Sequence, residues 1–293
     1  MVRYFQARCC WDNGLKVFSS AISRNKNWRE AIAEVSSHVK KDLDGKSCDL
    51  LIAFLSEAYE DFEPSGFANV LSHFIPSGTI IGCNSGGIIS NSKEVEMEPA
   101  ISVLAMHLPD VKIFPFQLNE SDMTDIQAGP DLINTLDIYP PDKPHFIVFA
   151  DPTNFDVIKY LHLSNEGYKG LPVIGGLSSG AVMGAPNWLF LNGVLFQEGL
   201  VGVALTGDIE FDVIVSQGCR PVGKPYVITK AEGNVLYELA GRSSLEVVRE
   251  LIQELSPKDR KLAELSTQQQ LILKALEEIK AELQIVKVRI SSH

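Results

Sequence analysis

Two short runs hold the residues best able to do chemistry, and they resemble each other. IGCNSGG spans Ile81 to Gly87, and IGGLSSG spans Ile174 to Gly180, ninety-three positions further on. Each keeps Ile, Gly, Ser and Gly in the same four places, so that Ser85 matches Ser178. The second run contains G-x-S-x-G, the pattern of a serine nucleophile held at a strand-to-helix turn. Such a turn needs a helix directly after the serine. Here Ser179-Gly180-Ala181-Val182-Met183-Gly184-Ala185-Pro186 follows, with two glycines and a proline that no helix tolerates. The only histidine after Ser178 is His293, so the usual chain order of that class has no base to offer. Ser178 is therefore not expected to be a nucleophile, and no catalytic residue is expected.

A second kind of chemistry fits better. Glycine lets another group approach the main chain without meeting a Cβ. Successive exposed N–H groups then cradle an anion or carboxylate. On this reading the candidate ligand contacts are Ser85, Gly86 and Gly87 in the first run, and Ser178, Ser179 and Gly180 in the second. Arg220, in SQGCRP, could pair bidentately with a ligand carboxylate or make a surface or interdomain salt bridge. Cys83 and Cys219, in or beside these stretches, are candidate reactive thiols, with buried inert cysteine as the alternative. Glu94 and Glu96 alternate and could share a face with the first run. The plainer alternative is that both runs only pack helix against sheet and bind nothing. Neither run fits G-x-G-x-x-G, no G-x-x-x-x-G-K-[ST] occurs, and the six histidines stand singly, so no cofactor and no metal are expected.

These runs need a scaffold, and the composition allows one. The chain has 293 residues, enough for about two domains. With 45% hydrophobic and 22% charged residues it can bury a core. A net charge of −11, with Lys40-Lys41 as the longest basic run, argues against nucleic acid as a partner. Five cysteines without a C-x-x-C pair read as reduced thiols. No stretch approaches the ~20 apolar residues of a membrane span, and the amino terminus lacks a signal-peptide core. A soluble, cytoplasmic protein without a membrane partner is expected.

The elements appear in a repeated order. Asn27 and Glu30 mark a helix start, and Trp28, Ile32, Val35, Val39 and Leu43 predict an amphipathic helix over 28–43. A buried strand over 49–55, a helix opened by Pro64 and a strand over 79–82 lead into the first glycine run. Strands over 101–106 and 111–116 are joined by four residues, which predicts an antiparallel hairpin. After a polar connector, 119–143, with one short helix, the order returns. A strand over 146–150 is followed by a helix starting at Asp151–Asn154, with Phe155, Val157, Ile158 and Leu161 on its apolar side. A strand over 171–175 then enters the second glycine run. Asn192-Gly193 predicts a type I′ hairpin, and Thr206-Gly207-Asp208 a hairpin between 200–205 and 209–215. The fold class expected is α/β (α+β), an internal duplication of mixed parallel and antiparallel sheets with covering helices.

Beyond Cys219 a strand over 225–229, a helix over 232–239 and a helix over 244–255 capped by Ser243 and Glu246 are expected. Leu262, Leu265, Gln269, Ile272, Leu276, Ile279, Leu283, Val286 and Ile290 then alternate by three and four residues. That is the heptad pattern of a coiled coil, which predicts a homodimer or another helical partner. The alternative is one long helix lying on the body.

IGCNSGGIISNSKEVEMEPAISVLAMHLP, then FIVFADP, LPVIGGLSSG, LFLNG, GLVGVALTGDIEFDVIVSQGCRPVG and ITKAEGNVLYELAGRSSLEVV, resembles the FIST family. The resemblance runs from about Ala21 to Lys261. It implies an N-terminal extension over 1–20 and a FIST N-type domain over 21–220, built from units of about 21–118 and 144–219. It further implies a partial FIST C-type domain over 221–256, before the heptad helix at 257–293. FIST proteins are regarded as sensory domains for small ligands, with amino acids among the suggested ones, so the resemblance implies non-enzymatic ligand sensing in signal transduction. A second implication is a protein-recruiting adaptor, like the FIST part of F-box ubiquitin ligases. An enzyme acting on an acyl or amide substrate ranks behind both.

Overall fold

The computed structural model describes residues 15–59, 63–90, 93–96, 98–181, 186–214, 225–232, 235–257 and 260. Strand β1 (Val17–Ser23) leads to Asn27, whose side-chain oxygen accepts the N–H groups of Arg29 at 2.9 Å and Glu30 at 3.3 Å. That bond caps helix α1 (Trp28–Leu43), and all five apolar positions predicted for it are buried. β2 (Cys48–Ser56) follows, and Pro64 opens α2 (Pro64–Phe74) at a position where its missing N–H would have had no helical partner. β3 (Ser77–Ser85) lies parallel to β2, as the long crossover allows. β4 (Gly87–Ser90) and β5 (Lys93–Glu96) form a short antiparallel ribbon, and β6 (Ile101–His107) inserts antiparallel between β1 and β2.

The second half begins with β7 (Val111–Leu118), α3 (Glu120–Asp125) and α4 (Gly129–Leu136). The polar connector thus holds two short helices rather than one, the first capped by Asn119, which accepts from Asp122 N–H at 2.8 Å. β8 (His145–Ala150), α5 (Val157–Gly167), β9 (Val173–Leu177), the hairpin β10 (Leu189–Leu191) and β11 (Val194–Phe196), and β12 (Leu200–Gly207) complete it. Asn192 and Gly193 both have positive φ, 48° and 86°, as a type I′ turn demands.

The sheet orders show the duplication. The first sheet runs β1-β6-β2-β3-β10-β11 and the second β7-β12-β8-β9. Its first four strands match the second sheet place for place and direction for direction, with β2/β3 and β8/β9 the parallel pairs. Alternation along β2 explains the layering. Leu51, Ala53 and Leu55 face α1 and α2, whereas Leu50 and Ile52 join Ile147, Phe149, Val201 and Val203 in a core between the two sheets. Phe146, Val148 and Ala150, on the other side of β8, pack with Met123, Leu132, Tyr160 and Leu163 of α3, α4 and α5. Helices, sheet, sheet and helices therefore stack, and both sheets are apolar on both faces. Each fully buried Leu or Ile contributes about 1.5–3 kcal/mol to this stack.

Three expectations are corrected. β6 and β7 do not form a hairpin; they belong to different sheets, and buried Leu108 carries the chain across. A short link fixes only that two strand ends are close, which sheets stacked ~10 Å apart also satisfy. Residues 209–214 are not a strand, because Ile209 and Phe211 fold back onto the inter-sheet core. The helix expected at Asp151 starts at Val157, capped by Asp156, and turns Tyr160 and Leu163 inward, leaving Ile158 60% and Leu161 42% exposed.

Residues 215–293 form a unit of their own. Among its described residues, β13 (Ile228–Glu232), β14 (Val235–Leu239) and β15 (Arg242–Ser243) make an antiparallel sheet, and α6 (Ser244–Glu254) packs on it through Val247. The helix expected over 232–239 is thus mostly strand. Leu236 and Leu239 have helical spacing, but Ala240 and Gly241, with φ of 50° and 75°, turn the chain into a hairpin. α6 begins where predicted, though Ser243 makes no side-chain cap bond. The heptad positions Leu262 to Ile290 lie outside the described residues. Among the described residues no helix is long and apolar enough to cross a membrane.

Candidate functional site

The matched glycines Gly82 and Gly175 are strand residues, not turn residues. Each pairs with the neighbouring parallel strand, Gly82 with Ala53 and Gly175 with Val148. A Cβ on Gly82 would stand 1.9 Å from Ala53 O, and one on Gly175 1.8 Å from Val148 O. The repeated glycine is thus explained by a neighbouring carbonyl that occupies the side-chain position. It also aligns the two strand ends that follow, because Ser85 and Ser178 each come three residues later.

Those ends meet. Ser85 Oγ lies 3.3 Å from Ser179 Oγ, and Gly86 N–H donates to Ser179 Oγ at 3.2 Å. The first and second runs, separate in the sequence, therefore make one locus where β2 and β3 end beside β9. Carboxyl ends of parallel strands are the usual place for ligands in α/β sheets.

The two matched serines are not equivalent in use. Ser178 is 1% exposed, and its hydroxyl faces three amide oxygens: Asn84 Oδ1 at 2.6 Å, Asn84 O at 2.9 Å and Asn187 Oδ1 at 3.1 Å. Amide oxygens accept a hydrogen bond but do not take a proton, so this environment does not activate the hydroxyl. Asn84 Oδ1 also accepts Trp188 N–H at 2.8 Å. Asn187 donates to Asp151 Oδ1 at 2.9 Å, and the 1% exposed Asp151 further accepts from Thr153 N–H and Asn154 Nδ2. Gly180 is buried against the Asn84 amide. Ser178 and Gly180 thus belong to a buried polar junction, whereas Ser85 and Gly86 are half-buried and Gly87 and Ser179 exposed. Asn84, Asp151 and Asn187 are the junction's missed members. Their signal in the sequence is position: Asn84 lies inside the first run, Asp151 directly after β8 and Asn187 just before β10.

Glu57 is the second omission. It follows the last residue of β2, and its N–H donates to Ser85 O at 3.3 Å. Glu57 Oε2 is shielded from solvent and has no hydrogen-bond partner, and burial pushes the carboxyl above its ordinary pKa. Glu96 pairs with Gly87 in the β4–β5 ribbon and is exposed, as is Glu94. Cys83 points into the inter-sheet core, where burial pushes its thiol up to about 12. It is protonated at neutral pH and packs as an apolar side chain. Arg220 and Cys219 lie outside the described residues. Among the described residues no three His, Cys, Asp or Glu side chains gather as a metal site would require.

The FIST N domain matches residues 49–242. The uncharacterized protein Rv0628c of Mycobacterium tuberculosis is 30% identical over 242 residues, which cover 82% of this chain and 61% of that protein. Mb0898c of Mycobacterium bovis is 30% identical over 234 residues, 80% of this chain and 58% of its own length. MJ1623 of Methanocaldococcus jannaschii is 22% identical over 230 residues, 75% and 44% respectively. The chain thus spans about 60% of the length of the mycobacterial relatives.

Proposed function

The chain belongs to the FIST N domain family, and from that premise we propose that it is a sensory domain that binds a small ligand without transforming it. The ligand sits where β2 and β3 of the first sheet end against β9 of the second, touching Ser85, Gly86, Gly87 and Ser179. Ser178 and Gly180 shape the locus from beneath. The observation that supports this reading is the 3.3 Å approach of Ser85 and Ser179, which joins the two runs at the ends of parallel strands. Residues 221–256 would be the start of a FIST C-type domain, Arg220 a carboxylate contact, and the heptads at Leu262–Ile290 the dimerising or output element.

A thermal-shift screen of amino acids and small carboxylates tests the proposal. A ligand at 100 times its Kd stabilises by about 2.7 kcal/mol. A shift seen with one chemical class and lost in Ser179→Ala supports it. Silence across the panel sinks it and favours the protein-recruiting adaptor, for which the exposed Ile158 and Leu161 of α5 would be the first surface to test.

A further inference from the structure

We propose that this site selects its ligand by a primary ammonium group, and that Glu57 is the residue that holds it. The inference rests on the ligand-binding reading above and names the chemistry of the guest. It starts from the missing side chain of Gly86. Outside residues 85–87, the atoms bordering that space within 4 Å are both oxygens: Ser179 O at 3.1 Å and Glu57 Oε1 at 3.8 Å from the position a Cβ would take. A hydrogen-bond donor is what these two oxygens accept, whereas both would repel a carboxylate. Glu57 Oε2, the other oxygen of the same group, is shielded from water and has no donor. No ion pair among the described residues involves Glu57.

An ammonium matches this set of acceptors because it offers three donors and a compact positive charge. One N–H would go to the Glu57 carboxylate, a charge-assisted bond stronger than a neutral one. The others have Ser179 O and the hydroxyl oxygens of Ser85 and Ser179 within the same locus. In the free protein the unpartnered oxygen carries a desolvation cost, which the raised pKa of Glu57 reflects. A cation at Oε1, the oxygen that borders the notch, offsets that cost for the carboxylate as a whole, so binding and ionisation of Glu57 reinforce one another. The chain's net charge of −11 draws such a cation in.

The test separates the two ends of an amino-acid-like probe, on the full chain, by calorimetry and thermal shift. Glycinamide, L-leucinamide and L-phenylalaninamide keep the ammonium and lack the carboxylate. N-acetylglycine, N-acetyl-L-leucine and N-acetyl-L-phenylalanine keep the carboxylate and lack the ammonium. The expected result is binding within the amide series alone, weakened about tenfold or more by Glu57→Gln, with the thermal midpoint of the ligand-free variant unchanged or higher. Binding of the acetylated series, unaffected by Glu57→Gln, overturns the ammonium anchor and leaves the ligand-binding reading standing. Silence of both series overturns the anchor, and silence of the free amino acids and carboxylates as well removes the site. Should Glu57→Gln fail to fold, the contrast between the two series on the unaltered chain decides alone.

Discussion

The Ser178 hydroxyl lies 2.6 Å from Asn84 Oδ1, joining the ends of two strands that belong to different sheets. The same Asn84 oxygen accepts the N–H of Trp188 at 2.8 Å, just before β10, which lies beside β3 in its own sheet. The Ser178 bond therefore clasps the two halves of the duplication at the point where the ligand is proposed to sit. Ser178→Ala should cost about 1–2 kcal/mol, because one partner is lost and others remain. Asn84→Ala should cost about 2–4 kcal/mol, since it removes the acceptor of both the hydroxyl and the Trp188 N–H. Urea unfolding of the two variants checks the order; equal and negligible losses would mean the clasp contributes nothing.

The paired glycines make a sharper case. Gly82→Ala and Gly175→Ala each set a methyl group on a neighbouring carbonyl oxygen, at 1.9 Å and 1.8 Å before any relaxation. Each should destabilise by about 3 kcal/mol or more, as backbone rather than a pliable side chain must move. Gly176→Ala, with nothing within 4 Å, should stay within about 0.5 kcal/mol of the parent. Thermal melts of the three variants settle it, and a tolerated alanine at 82 or 175 would undo the explanation for the repeat.

Cys83 gives a pH dependence with a definite sign. In the unfolded chain the thiol ionises above about 8.5, whereas in the fold it keeps its proton up to about 12. Below pH 8.5 both states are protonated and the group is neutral to stability. As pH rises past that point the unfolded state alone releases a proton, so stability falls, by at most about 1.4 kcal/mol per pH unit. Urea midpoints at pH 8.0 and 9.5 should drop more in the parent than in Cys83→Ala. The same burial predicts that a thiol reagent leaves Cys83 unlabelled in the native protein at pH 7.

The proposed helical partner at Leu262–Ile290 is tested by mass. Sedimentation of the full chain should give a dimer or higher assembly, and deletion of 262–293 should reduce it to a monomer. The same number of chains per particle before and after the deletion removes the coiled coil.

What could be read from the sequence was local or periodic. Asn27 announces α1, Pro64 opens α2, Asn192-Gly193 makes its turn, and the doubled order of elements foretells two equivalent sheets. Each is set by the preferences of a few adjacent residues or by the spacing of apolar ones. What could not be read was which layer an element joins. The four residues 107–110 read as a hairpin link, and the chain instead crosses to the second sheet through Leu108. Leu236 and Leu239 showed helical spacing, yet the Ala240-Gly241 turn makes their segment a strand. The site divided in the same way. The matched runs are visible as runs, but the interior place of Ser178, its clasp with Asn84, and the Glu57 carboxylate, with one oxygen beside Gly86 and the other buried without a partner, appear only once two sheets are stacked. Sequence spacing specifies which side of an element is apolar. Only the tertiary fold specifies what covers it, and so which polar groups find partners and which are left facing an opening.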